Sequence, residues 1–258
     1  MTVMGAIEVR RRTKLTGLEV YLASLYHCQP NAHLVLFNRS PEHVGLSALL
    51  TRYPVDAVDA QQFDKEHDIP QVEIEIARFL EYAAWLEEYA ASGAVMLTDV
   101  LDVLWQPGGL TVPPALTVFQ ENNRIGACPY NLKWVKEVWP NGYGMLLDRP
   151  IVCCGVIMGS EEAVCEYLAW YAEQVEQRGA RTLRRGFDSA ALNGLAYSAP
   201  VNVLPFANAL CMHLGYADPM TVNYSEEDGV TWCGERPMVV HQYNRHPAAM
   251  QGIYERWT

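Results

Sequence analysis

Through its first half the chain alternates short apolar runs with segments of helical period, and this alternation limits the fold more than any other feature. Val3 to Ile7 reads as a first strand. Leu15 to His27 has helical spacing at Leu18, Leu22 and Leu25 and stops before Pro30. Leu34-Val35-Leu36-Phe37 is a buried strand by composition, ended by Asn38-Arg39-Ser40-Pro41. Val44 to Tyr53 reads as a helix and Val55 to Val58 as a short strand. Val72 to Tyr89 is the clearest long helix, with Ile76, Phe79, Leu80 and Ala83 on one face and Glu73, Glu81, Glu87 and Glu88 keeping the others in water. Gly93 then stops it. Ala94 onward is a buried strand that delivers Asp99 and Asp102 into a turn. Strand, helix, strand, helix, strand makes βαβ units, so the expectation is an α/β fold: a Rossmann-like, mixed but mostly parallel sheet flanked by helices.

After Pro107-Gly108-Gly109 the pattern changes. Thr111 to Gln120 is compatible with pairing at a sheet edge, and Tyr130 to Tyr143 is aromatic and rich in turn residues. Ile151 to Gly159 returns as a buried strand with Gly155 in its middle, where a ligand or another backbone comes close. Ser160-Glu161-Glu162 is a capped, acidic helix opening, and the helix runs to Gly179. A further helix over Asp188 to Tyr197, a strand over Val201 to Phe206 and a last strand over Met238 to His241 complete the pattern. No repeat and no Ser/Gly linker divides the chain, so a single domain is expected over 1–258.

Composition removes several classes. Half of the 258 residues are hydrophobic and 19% are charged, which is not a disordered composition. Apolar runs are broken by Gly, Pro or acids before they could span a bilayer. Met1 to Ile7 is too short an apolar region for a signal peptide, and basic residues follow rather than precede it; a cytoplasmic protein is expected. The seven cysteines are odd in number, scattered and without a Cys-x-x-Cys pair, so they are expected to be small core residues, Cys153-Cys154 among them. A net charge of −11 disfavours a general nucleic-acid-binding surface. Two basic islands, Arg10 to Lys14 and Arg181 to Arg185, are either solvated loop charge or local phosphate sites.

Walker, nucleophile-elbow, His-Glu-x-x-His and dinucleotide Gly-rich motifs are absent. The chemistry left lies at Asp99/Asp102, Gly155, Asp188 and His241 to His246. Paired carboxylates at a strand's carboxyl end are hard oxygen ligands where α/β sheets place ligands, or else an Asx-type turn. His241 is either a satisfied strand-end histidine or an imidazole that joins them on Mn²⁺. Asp188 is a helix-dipole charge or a carboxylate for a sugar hydroxyl.

Together and in order, these segments resemble one family. Thr98-Asp99-Val100-Leu101-Asp102-Val103-Leu104-Trp105-Gln106-Pro107 is similar to the Asp-Val-Arg-Asp-Val-x-Phe-Gln segment of certain nucleotide-sugar-dependent glycosyltransferases with the A-type (GT-A) fold. Cys154-Gly155-Val156-Ile157-Met158-Gly159-Ser160 resembles their Asn-Ser-Gly-Val-Ile-x-Gly strand, and Asp188-Ser189-Ala190-Ala191-Leu192-Asn193 their Asp-Gln-x-x-Leu-Asn helix start. Val239-Val240-His241-Gln242-Tyr243-Asn244-Arg245-His246-Pro247 resembles their His-Gln-Tyr-Asp-Arg-His-Pro element, and Arg78-Phe79-Leu80 with Trp85-Leu86 their Arg-Phe helix.

The resemblance, running from Arg78 to Pro247, implies a GT-A-like domain with a nucleotide-binding half, 1–106, and an acceptor and sugar half, 107–258. It implies transfer of a sugar from a nucleotide-sugar donor to a hydroxyl-bearing acceptor, and its C-terminal histidine favours retention over inversion of configuration without deciding between them. Asp99 and Asp102 would bind Mn²⁺ or Mg²⁺, or the donor's ribose, with His241 as the third protein ligand, and the ion would neutralise the diphosphate leaving group. Asp188 would be the catalytic carboxylate, and Arg78 would meet the donor. Gly155, Cys154, Trp105, Gln106, Asn193 and His246 would face sugar or acceptor. Arg10 and Arg12, just past the first strand, are expected at the nucleotide or its phosphates.

The chain departs from the pattern at Leu101, where the family has Arg, at Ser189 in place of Gln, and at Cys153-Cys154 in place of Asn-Ser. Its aspartates are spaced Asp-x-x-Asp. Two rivals therefore stand beside transfer: a metal-dependent phosphoester or pyrophosphate hydrolase, and a catalytically silent sugar-nucleotide-binding module.

Overall fold

The computed structural model of the chain describes residues 1–10, 13–91 and 93–258. The first half comprises β1 (Thr2–Ile7), α1 (Leu15–Cys28), β2 (His33–Asn38), α2 (Val44–Leu50), β3 (Val55–Asp59), α3 (Ala60–Glu66), α4 (Ile74–Glu88), β4 (Ala94–Thr98) and β5 (Val103–Trp105). The second comprises β6 (Thr117–Arg124), α5 (Pro129–Val138), β7 (Pro150–Ser160), α6 (Glu161–Arg178), α7 (Phe187–Ala196), β8 (Asn202–Leu204), β9 (Cys211–His213), β10 (Val222–Ser225), β11 (Gly229–Trp232), β12 (Val239–His241) and α8 (Pro247–Trp257).

Ten strands form one mixed, mostly parallel sheet in the order β3-β2-β1-β4-β7-β6-β9-β12-β5, with β8 pairing β6. The four strands β3, β2, β1 and β4 are parallel, as their helical crossovers require. β7 runs antiparallel to both β4 and β6. Alternation decides which face each side chain joins. Met4, Val95, Leu97 and Ile157 pack with α4, α6 and α7, whereas Val3, Met96, Val156 and Met158 pack with α1 and α2. A smaller core lies around α8, β9 and β12. Each fully buried Leu, Val or Phe in these layers contributes about 1.5–3 kcal/mol.

Three expectations need correction. Thr111 to Gln120 is not an edge: β6 starts at Thr117 and lies between β7 and β9, because Val118 and Phe119 find apolar neighbours on opposite faces. Glu81 is not in water. It is fully buried, and with Asp64 it shares the guanidinium of Arg39, which follows β2. The stretch after Cys128 is not only turns, since α5 opens there with Pro129 in its first turn and the Cys128 sulfur accepting from Asn131 N–H. α3, β5, β9, the β10–β11 hairpin and α8 had no counterpart in the sequence pattern. Among the described residues no helix is long and apolar enough to cross a membrane.

Candidate functional site

The sheet register assembles the site. Asp99 is the first residue past β4, Asp102 the last before β5, and His241 the last of β12. β12 pairs antiparallel with β5, so that His241 lies opposite Val103, one residue from Asp102. The parallel pairing of β12 with β9 sets His241 opposite His213 on the other side. Two backbone bonds pin the loops: Asp99 N–H donates to Gly155 O at 2.8 Å, and Gln242 N–H donates to Asp102 O at 2.8 Å. Gln242 turns the chain out of β12 with a left-handed φ of 64°.

Within this frame His241 Nε2 stands 3.2 Å from Asp99 Oδ2 and 3.3 Å from Asp102 Oδ1. Its other nitrogen, Nδ1, is 2.8 Å from Nδ1 of His213 and 3.6 Å from the Cys153 sulfur. Arg78, projecting from α4, pairs with Asp99 Oδ1 and reaches Asp188 Oδ2 at 3.4 Å. Asp188 is in the first turn of α7, which opens at the left-handed Gly186 (φ 88°); the Cys154 thiol donates to its Oδ2 at 3.1 Å. Although Leu101 leaves the aspartate turn without its own cation, Arg78 supplies one from a helix.

The electrostatics follow from burial and pairing. Burial opposes ionisation of Asp99, but the Arg78 guanidinium and the His241 ring hold its carboxyl well below the usual range. Burial likewise opposes the His241 cation, yet Asp102 and Asp99 outweigh it and push the imidazole up to about 10. Burial raises Asp188, with Arg78 opposing. Burial and the neighbouring His241 charge keep His213 well below its ordinary value, so it is neutral and accepts from His241 Nδ1–H. That bond orients the ring so that Nε2 faces the aspartates.

The donor atoms of Asp99, Asp102 and His241 lie within 4.8 Å of one another. Two carboxylate oxygens and one imidazole suit Mn²⁺, and the oxygens suit Mg²⁺ with waters completing the shell. Asp99 Oδ1 is engaged by Arg78, so its Oδ2 is the oxygen turned to such an ion. The site opens into a cleft of about 670 Å³, within the ~300–1,000 Å³ of small-molecule sites. Arg10, Arg185 and Arg245 line it, with Tyr130 and Trp134. Arg10 is paired with Glu8, and Arg185 Nε lies 3.8 Å from Glu75, so these two cations carry acidic partners. Arg12 lies outside the described residues.

The other sequence candidates separate into two sets. Gly155 and Cys154 line the cleft, but the missing side chain of Gly155 makes room for a protein group, since a Cβ there would overlap the His241 imidazole. Trp105, Gln106, Asn193 and His246, expected to face sugar or acceptor, are buried and do not line this cleft. Trp105 packs edge-on against Tyr21. Gln106 closes three hydrogen bonds to the backbone of Val230 and Pro237. Asn193 ties α7 to β7 through Val152 N–H and C=O, both at 2.8 Å. His246 Nε2 bonds Leu214 O at 2.8 Å. Conversely, Cys153 and Cys154 are not sealed in the core: both line the cleft, facing His241 and Asp188.

Sequence reasoning missed His213 and Glu121, the buried acid opposite His213 in the bridge between β6 and β9. Both sit in short or irregular strands with no motif around them, and only the pairing of distant strands brings them to the site. No known family model matches the chain, and no curated protein matches its sequence.

Proposed function

We propose that this chain is a metal-dependent glycosyltransferase of the GT-A-like class, moving a sugar from a nucleotide-sugar donor to a hydroxyl-bearing acceptor. The observation that supports this reading best is the convergence of Asp99, Asp102 and His241 in a cleft that Asp188 also lines. Held by Asp99 Oδ2, Asp102 and His241 Nε2, Mn²⁺ or Mg²⁺ would offset charge growing on a departing diphosphate. Arg78 keeps Asp99 ionised and, lying between Asp99 and Asp188, fixes their separation. Asp188 would accept a sugar hydroxyl or face the reacting carbon. Arg10 and Arg185, on the cleft wall, offer guanidinium donors to the nucleotide.

Thermal denaturation with a panel of nucleotide sugars, with and without Mn²⁺, tests the reading. One donor is expected to raise the melting temperature only when metal is present, and Asp99→Ala, Asp102→Ala and His241→Ala each to abolish that response. Unchanged responses in all three variants would overturn the metal assignment. Nucleotide-sugar turnover that needs no acceptor would replace transfer with hydrolysis, and donor binding with no turnover would leave a binding module.

A further inference from the structure

The ring of His241 faces two different donor sets. Its Nε2 looks at carboxylates, while Nδ1 looks at sulfur and a second imidazole. Nδ1 of His213, Nδ1 of His241 and Sγ of Cys153 also lie within 4.8 Å of one another. We propose that Cys153, His213 and His241 form a second, inner site for a soft divalent cation such as Zn²⁺, and that its occupancy excludes the hard ion from Asp99, Asp102 and His241.

A thiolate with two imidazoles is a donor set selective for Zn²⁺ and its soft analogues, whereas Mn²⁺ and Mg²⁺ prefer the oxygens outside. Metal–sulfur and metal–nitrogen bonds of ~2.3 and ~2.0 Å at a tetrahedral angle separate sulfur from nitrogen by about 3.5 Å. The observed separation of the Cys153 sulfur from His241 Nδ1 is 3.6 Å. The two imidazole nitrogens, 2.8 Å apart, need to open by only about half an ångström. Glu121, which accepts from Gln242 Nε2 at 3.4 Å, is the buried acid beside Cys153. Cys153 lines the cleft, which gives an ion a path inward.

Exclusion follows from the ring. Binding of a hard ion at Nε2 leaves the proton on Nδ1, where it is donated to His213. A soft ion takes the Nδ1 lone pair, so the Cys153 thiol proton and the Nδ1 proton leave to solvent and the remaining ring proton stays on Nε2, facing the aspartates. Holding both ions would require an imidazole stripped of every N–H. The inner site stands without the sugar-transfer reading; only its exclusion of the outer ion rests on that assignment.

Titration of the metal-free chain with Cd²⁺, followed by the ultraviolet thiolate-to-metal charge-transfer band, tests the inner site. The expected result is a band saturating at one equivalent, lost in Cys153→Ser, weakened at least tenfold in His213→Gln, and retained in Cys154→Ser and Asp102→Asn. Far-ultraviolet dichroism checks that Cys153→Ser is folded, so the loss is read even if His213→Gln is not. A band that survives Cys153→Ser, or that Cys154→Ser removes equally, overturns the site. In a second arm, Mn²⁺ binding followed by electron paramagnetic resonance is displaced by Zn²⁺ in the wild type and not in Cys153→Ser. Displacement in both overturns exclusion, and failure of Mn²⁺ to bind at all would strike the outer assignment while the cadmium band stood.

Discussion

His241 is where most of the site's constraints meet. Its proton is held by two carboxylates that push the imidazole up to about 10, so an ion must displace it. Apparent Mn²⁺ affinity is therefore expected to rise about tenfold per pH unit between about pH 6 and pH 9, with one proton released per ion. Calorimetry in buffers of different ionisation enthalpy measures that release; affinity flat across the range would show that His241 is not a ligand. Gly155 is coupled to the same ring. In Gly155→Ala the new methyl meets the imidazole, and a loss of about 1–3 kcal/mol of stability together with the Mn²⁺ response is expected in melting experiments.

Helix α7 shows how a residue can matter to the site without touching a ligand. Asn193 bonds both backbone groups of Val152 and the carbonyl of Ser189, each at 2.8 Å, and so locks the helix bearing Asp188 to the strand bearing Cys153 and Gly155. Asn193→Ala leaves buried backbone groups unpaired and is expected to cost about 1–3 kcal/mol. Urea denaturation reads this directly, and a midpoint equal to that of wild type would contradict the role. The longest helices, α1, α4 and α6, were also legible. Leu18, Leu22 and Leu25 announce α1, and Ser160 caps α6 by accepting from Ala163 N–H. Short strands such as β9 were not legible, because three residues carry no period and their stability comes from distant partners.

Across the whole molecule, the buried Arg39, Asp64 and Glu81 group ties the first βαβ layer to α4. One guanidinium serves two carboxyls, and burial pushes Glu81 up to about 8 from 4.5. Between those values the folded chain keeps a proton that the unfolded chain has lost. This contribution to stability is complete below about pH 4.5 and is lost as pH rises through about 8. The melting temperature of the wild type is expected to fall relative to that of Glu81→Gln between about pH 5 and pH 8. Parallel profiles for the two proteins would remove Glu81 as the cause.

The local order of residues determined the α/β class, the parallel run of β1 to β4, and the placement of Asp99 and Asp102 at a strand's carboxyl end, because 2.0 and 3.6 periodicities and turn residues act over neighbouring positions. It also marked Asp188 and His241 as chemistry-bearing. Only the tertiary structure decided that β12 enters beside β5 in the register that brings His241 to the aspartates, and that His213 and Cys153 stand behind it. Register between β12 and β5, more than a hundred residues apart, is set by packing of the assembled core, which no local pattern encodes. The same packing turned Glu81 inward, buried Trp105, Gln106, Asn193 and His246, and lined one cleft with residues from early and late in the chain.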